Sequence, residues 1–544
     1  MSWDEQRARE RVAQHDFSNF DVRVSDLSRE MDFHNLGTKD VRRVQGAHLY
    51  ADVPNFHDAV ADAKSDSSKL KKLLRAASVL RRVQTDLLKE YDAQAIQLQG
   101  ARLHCLVYKP YDDEAKRATQ VVLLAISLHS YLYDVFNHVF QEVRDFEGAV
   151  GVAAGKSLVA NIGFHGEREL LSLGSCANLG AKVLDGVDTI TITDDVYVLL
   201  PETLQKQFQK AGAVAGVLTY RAMGLRWSTH PKLAQEFAVD FDVEKLTRRT
   251  EEYRDALPLA EMDLSDAEVL IDLEKLSERN SKKTSAVALY ADLDGFTKYV
   301  QQAEKDEEVV SLVRTFRMIR AEVHAVIRQD YPGVVLQHQG DRTFAIVHLP
   351  AGDHLEKRCH NGLNIAIAIQ SSMEHVLNER LGERKNIHVA VGLDVGTVVV
   401  SRLGKKGERE ALCFGPSVAS AETLQLRSAG RNIRLSEKLY DTITNEIVKK
   451  QFTKDEQGTY VAKGLTFPKL DELEEDAAAR EGRLSAPTTA RDGRIEIVSG
   501  SSHSAPHHRP WCSSPVVVSE PSHIWNGMKY GQHAGGPSKQ SPES

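Results

Sequence analysis

Residues 289–300 read LYADLDGFTKYV and residues 49–60 read LYADVPNFHDAV. Each is an apolar run closed by an aspartate, and laying the chain on itself puts Asp52 on Asp292 at a displacement of 240 residues. Gly100 in IQLQGARLHCLVYKP falls on Gly340 in VLQHQGDRTFAIVHLP at the same displacement. Downstream, VGVAAGKSLVANIGFHGERELLSLG (150–174) lies without a gap on VGLDVGTVVVSRLGKKGEREALCFG (391–415), and YRAMGLRW (220–227) lies on YVAKGLTF (460–467). Register held across four blocks is the signature of a duplicated domain.

Both copies share one coarse grammar. In the second, a β-rich run at 285–293 leads into EEVVSLVRTFRMIRAEVHAVIRQD, whose apolar residues recur at three- and four-residue steps and predict a helix. Two alternating runs, GVVLQHQ and RTFAIVHL, flank a Gly-Asp pair and predict a hairpin. A long helix at 355–381, a strand pair at 387–414 and a short helix from Pro416 follow. The expected class is α+β, a sheet covered by helices. The chain divides into a helical N-terminal segment (1–39), a first domain (40–227), a helical linker (228–284), a second domain (285–474) and a disordered Ser/Pro/Gly/His-rich tail (475–544).

A net charge of −8 gives no basic footprint for nucleic acid. Cys105, Cys176, Cys359, Cys413 and Cys512 form no paired framework, and neither a signal peptide nor a run of membrane-spanning length is evident. A cytoplasmic protein without a membrane partner is expected.

The ADLDGFT strand end, the helix, the hairpin with its GD turn and the later glycine-bounded hairpin resemble the class III adenylate and guanylate cyclase catalytic domain, over roughly 40–230 and 280–470. The resemblance implies two tandem cyclase-like domains packed head to tail as an intramolecular pseudodimer, one supplying two metal aspartates and the other a base pocket with an Asn/Arg pair. Asp292 and Asp341 match the metal aspartates. Two such carboxylates repel unless a cation lies between them, and the family's two divalent cations, Mg2+ or Mn2+, would bind the triphosphate and activate the ribose 3′-hydroxyl. Gly295, Phe296 and Thr297 open the next helix and would offer backbone N–H groups to phosphate.

The first copy keeps Asp52 but has Ala101 at the position of Asp341. In LGSCANLGAKV the family's transition-state asparagine falls on Asn178 and its arginine on Lys182, whereas the second copy has Ala419 and Thr423 there. The resemblance therefore implies one composite site, with Asp292 and Asp341 facing Asn178 and Lys182, and a dead mirror-image site. Arg221 stands where the family has a phosphate-binding lysine, and Lys405, Lys406 and Arg409 lie on the hairpin that offers a phosphate-binding arginine.

The family's base-reading positions fall on Gln97 and Leu171, which match neither the adenine nor the guanine code, and Tyr50 would set a bulky ring against the base. This pattern is similar to the pyrimidine cyclases of bacterial Pycsar antiphage systems. It implies UTP, with CTP as the alternative, as the triphosphate substrate, and a cyclic nucleotide product that acts on a separate effector protein. A purine cyclase with a degenerate code and a nucleotide-binding pseudoenzyme are the other readings.

Overall fold

The computed structural model describes residues 2–484 apart from 15–19, 30–32, 34–35, 163–168, 304, 383–386 and 405–409. The fold is α+β with two sheets of the same topology. The first comprises β1 (Arg23–Asp26), β2 (Asp40–Asp52), β3 (Gln94–Gln99), β4 (Arg102–Val107), β5 (Ala149–Asn161), β6 (Leu170–Leu173), β7 (Thr189–Thr193), β8 (Gln209–Val214) and β9 (Val217–Met223). The second comprises β10 (Asp263–Asp266), β11 (Asn280–Asp294), β12 (Val334–Gln339), β13 (Arg342–Val347), β14 (His388–Leu403), β15 (Glu410–Phe414), β16 (Asn432–Leu435), β17 (Thr453–Lys454) and β18 (Tyr460–Lys463). The spatial orders are β3-β4-β2-β5-β7-β9-β8 and β12-β13-β11-β14-β16-β18-β17.

Period-two alternation along β11 explains where its aspartate goes. Val287 faces the Leu355–Ser372 helix so closely that a Cβ on Gly362 would come within 2.7 Å of its side chain. Ala288 and Tyr290 point to the opposite face, into a cluster with Phe344 and Val418, and Asp292 continues that row. The short Pro416–Leu426 helix lies on this second face, where Gly392 is required because a Cβ would sit 2.3 Å from the Gln425 nitrogen. The hairpin turns need glycine for another reason: Gly100 (φ 62°) and Gly340 (φ 67°) occupy the left-handed region with open space around them.

Two expected boundaries are corrected. Among the described residues the N-terminal segment is helical over Glu5–Gln14, and β1 then pairs in parallel with β2. The linker likewise delivers β10, parallel to β11, after its helix Val243–Asp255. The duplicated unit thus begins one strand earlier than the sequence pattern indicates. At the other end the Phe467–Leu484 helix continues past 474, and residues 485–544, which hold most of the expected tail, lie outside the described residues. Among the described residues one helical stretch, Glu114–Val139, is long and apolar enough to cross a membrane, and it is mostly buried within the fold.

The halves meet through reciprocal contacts. Gln97 donates through Nε2 to the His338 carbonyl, and Gln337 donates to the Leu98 carbonyl at 2.9 Å. Arg320 pairs with Glu169 at 2.9 Å, and its repeat partner Arg81 pairs with Glu410 at 3.4 Å. The core beneath the first sheet also takes in Val399, Leu403, Leu412 and Phe414 from β14 and β15.

The N-terminal helix docks on the far half. Arg11 is buried and holds Glu322 (2.7 and 3.0 Å) together with Asp330 (2.9 and 3.0 Å), while Ser372 donates to Glu322 and accepts from Trp3 Nε1, each at 2.8 Å. Arg7 also reaches Asp330, at 2.9 Å, so removing Arg11 strands the buried Glu322 without a cation, and Arg11→Ala should cost about 3 kcal/mol of stability. Urea denaturation of the full chain measures this directly.

Candidate active site

β11 carries Asp292 opposite Arg342 of β13, and Asp341 is the residue of the β12–β13 turn immediately before that arginine. The fold therefore brings the two carboxylates together. Burial, and then the charge of Asp292, pushes the Asp341 carboxyl up to about 7. Burial likewise raises Asp292; Arg342 and a hydrogen bond from Gln425 oppose this, and Asp294 adds to it.

Arg320, which the sequence pattern did not single out, braces this turn. It is 3% exposed and donates to the Gly340 carbonyl at 2.9 Å, while its other nitrogen reaches Glu169, two residues before Leu171. The first half's strand start is thus tied to the carboxylate turn of the second. Alignment of Arg81 with Arg320 and of Glu169 with Glu410 was the available signal, two charges repeating at near-constant displacement.

The equivalent place in the first half is closed. Arg102 donates to one oxygen of Asp52 through Nη2 (2.7 Å) and Nε (3.1 Å), and the other oxygen accepts from the Val53 amide at 2.9 Å. With Ala101 beside it, Asp52 has no carboxylate partner.

Asn178 and Lys182 lie four residues apart and exposed on the Ser175–Lys182 helix, which follows Gly174. Residues at that spacing share a helix face. The helix rests on the first sheet through Gly180, where a Cβ would stand 3.1 Å from the Tyr50 ring. Tyr50 itself is 7% exposed and stacked on His104 at 4.1 Å, so it forms a floor beneath the helix and leaves little ring surface open. Leu171 is buried in β6 opposite Ala160. The Gln97 amide, besides bonding His338, accepts from Gln99 Nε2 at 3.0 Å.

Of the phosphate-directed candidates, Arg221 is engaged by Asp185 (2.6 Å) and Thr191 (3.2 Å). The Phe296 side chain is core, stacked on Phe316 at 4.9 Å, leaving only its backbone and that of Thr297 at the helix start. Lys405, Lys406 and Arg409 lie outside the described residues.

Residues 279–474 match the adenylate and guanylate cyclase catalytic domain. A uridylate cyclase of Pseudomonas aeruginosa is 27% identical over 510 residues, covering 89% of this chain and 94% of the relative. A second uridylate cyclase, from a Rhizobium species, is 22% identical over 409 residues, covering 70% of this chain and 75% of that one. A crystal structure titled a class III adenylyl cyclase-like ATP-binding protein from P. aeruginosa superposes with a TM-score of 0.73 at 25% identity, covering 87% of this chain and 99% of that one. The chain carries a class III nucleotidyl cyclase catalytic domain over residues 279–474.

In such a cyclase the substrate is a nucleoside triphosphate and the family generally uses divalent cations. Among the described residues no group of three or more His, Cys, Asp or Glu is arranged to hold an ion. The pair Asp292 and Asp341, two oxygen donors that burial and mutual repulsion leave short of positive charge, is the donor set that fits.

Protonation of this pair couples the fold to pH. An aspartate ionises near 4 in the unfolded chain and Asp341 near 7 in the folded one, so this group costs the cation-free cyclase stability as pH rises from about 4 to 7, and the full cost persists above that. A cation bound to the ionised pair reverses this. Mn2+ should therefore raise the melting temperature by about 2 °C or more at pH 8 and by little at pH 5.5, in scanning calorimetry. Asp341→Asn should remove the difference.

Proposed function

We propose that this cyclase converts UTP, with CTP as the lesser substrate, to the 3′,5′-cyclic monophosphate and pyrophosphate at one composite site formed by its two halves as an intramolecular pseudodimer. The observation that carries this reading is the opposite loss in the two copies. The second half keeps Asp292 with Asp341 and has Ala419 and Thr423 on its short helix, whereas the first keeps Asn178 and Lys182 and has Asp52 sealed by Arg102. Uniform decay would have struck both copies alike.

In the reaction the 3′-oxygen forms a bond to the α-phosphorus, the bond from that phosphorus to pyrophosphate breaks, and the hydroxyl proton leaves to solvent. Asp292 and Asp341 would hold the divalent cations, which would acidify the 3′-hydroxyl and offset the charge of the phosphates. Asn178 orients the ribose. Lys182 meets the charge that builds on the α-phosphate, as a point charge in place of the family's planar arginine. Arg221 binds the outer phosphates only by exchanging Asp185 for them.

Pyrimidine preference is supported by two lines. Gln97, Leu171 and Tyr50 carry neither purine code, and both curated relatives are uridylate cyclases. In this reading the product is a second messenger of bacterial antiphage defence, made in the cytoplasm and sensed by a separate effector protein. One observation favours a second reading: the solved P. aeruginosa structure that matches across both halves is described as ATP-binding, which fits a purine cyclase or a nucleotide-binding pseudoenzyme.

Incubation with all four triphosphates in one tube with Mn2+, followed by product chromatography, separates these. Cyclic UMP should dominate; cyclic AMP or GMP as the main product overturns the base assignment, and binding without any cyclic product favours the pseudoenzyme. Asp292→Asn and Asp341→Asn should abolish turnover. Asn178→Ala should lower it by more than about tenfold, roughly 1.4 kcal/mol of transition-state stabilisation, while Asp52→Ala should leave it nearly unchanged.

A further inference from the structure

The two halves carry the same arginine immediately after the hairpin turn, Arg102 and Arg342, and use it differently. Arg102 commits Nη2 and Nε to one oxygen of Asp52. Arg342 turns instead to Glu422, with Nη2 at 2.7 Å from Oε1, to Gln339, with Nε at 3.1 Å, and towards Gln425, with Nη1 at 3.5 Å. Its guanidinium also lies over the Tyr290 ring, 4.8 Å from the centroid.

The cause is legible in the repeat. At a displacement of 241 residues Glu422 falls on Ala181 and Gln425 on Leu184. Neither first-half residue can accept a hydrogen bond through its side chain, and in that half the partly buried guanidinium is seated on Asp52. A guanidinium seated on a carboxylate takes up the lone pairs and charge that a cation would use.

We propose that Glu422 is a positioning residue that keeps Asp292 available to a divalent cation by taking the hydrogen bonds of Arg342, so that this neighbouring guanidinium does not seat on the aspartate. The Glu422 carboxyl stays ionised for this work: burial would raise it, but Arg342 first, then Arg102 and His57, hold it below the usual carboxylate range. In the first half Arg102 feels the Glu422 charge but makes its hydrogen bonds to Asp52, and there the aspartate is closed. The inference rests on reading Asp292 and Asp341 as the cation ligands.

The test is Mn2+ binding to the full chain without nucleotide, followed by the electron paramagnetic resonance of free Mn2+. Glu422→Ala should weaken binding by about tenfold or more, since it frees a cation to neutralise the ligand. Arg342→Gln should bind within about threefold of wild type, and Glu422→Ala with Arg342→Gln should return to that level, because without the arginine there is nothing to hold back. Glu422→Gln, which keeps the side chain's volume, should shift affinity in the same direction as Glu422→Ala and covers the case in which the alanine variant fails to fold. A crystal structure of cation-free Glu422→Ala should show Arg342 on Asp292. Wild-type affinity in both Glu422 variants, or a double variant as weak as Glu422→Ala, overturns the proposal. Asp292→Asn separates the two levels: if it binds Mn2+ as wild type does, the ligand assignment itself is wrong, whereas if it loses binding while the Glu422 variants keep it, only the role of Glu422 falls.

Discussion

Two carboxylates held side by side and largely out of water, Asp292 and Asp341, are the constraint around which this cyclase is arranged. Alone they repel, and burial raises both. The surrounding chain does not neutralise them with a seated cation, as it does Asp52. It fixes the turn by its backbone instead, through Arg320 on the Gly340 carbonyl, and diverts the nearest guanidinium to Glu422. Such a pair is destabilising for as long as its charge goes unneutralised.

Duplication makes this economical. The contacts that hold the halves together are retained in pairs, Gln97 with His338 against Gln337 with Leu98, and Arg81 with Glu410 against Arg320 with Glu169. What distinguishes the halves is a handful of side chains on a shared frame: Ala101 against Asp341, Ala181 against Glu422, Asn178 against Ala419 and Lys182 against Thr423. Two-fold packing constrains the first set, because each contact is made by a residue whose counterpart makes its mate. The second set is free to diverge, since each residue serves one cleft.

The repeat, the α+β class, the hairpin with its left-handed glycine and the carboxylate pair were all legible in the sequence, because each leaves a local mark of spacing or residue type. The strands RVSD and DLSD were not. They are four residues long with a single apolar residue each, and only parallel pairing with β2 and β11 defines them. The docking of the N-terminal helix on the second half was equally invisible, since Arg11 lies 311 residues from Glu322 and 319 from Asp330, and the three carry no periodic signal. Arg342 looked the same as Arg102 in the sequence. What separates them is the acceptor each can reach, which for Arg342 comes from the Pro416–Leu426 helix, distant along the chain but packed on the same sheet.

If Gln97 reads the base as proposed, base selection is tied to the same frame. The Gln97 amide already donates one N–H to His338 across the halves and accepts from Gln99, leaving one N–H and one lone pair. A pyrimidine edge read by that remainder needs only one donor and one acceptor, which suits a base with a single short polar edge. On the proposed reading, the group that reads the base also bonds the other half, so Gln97→Ala would disturb docking and recognition together. Loss of total activity in that variant would therefore carry no information about the base. The ratio of UTP to ATP turnover would, because a docking defect lowers both alike whereas a lost base contact, at roughly 1–3 kcal/mol, falls on the pyrimidine.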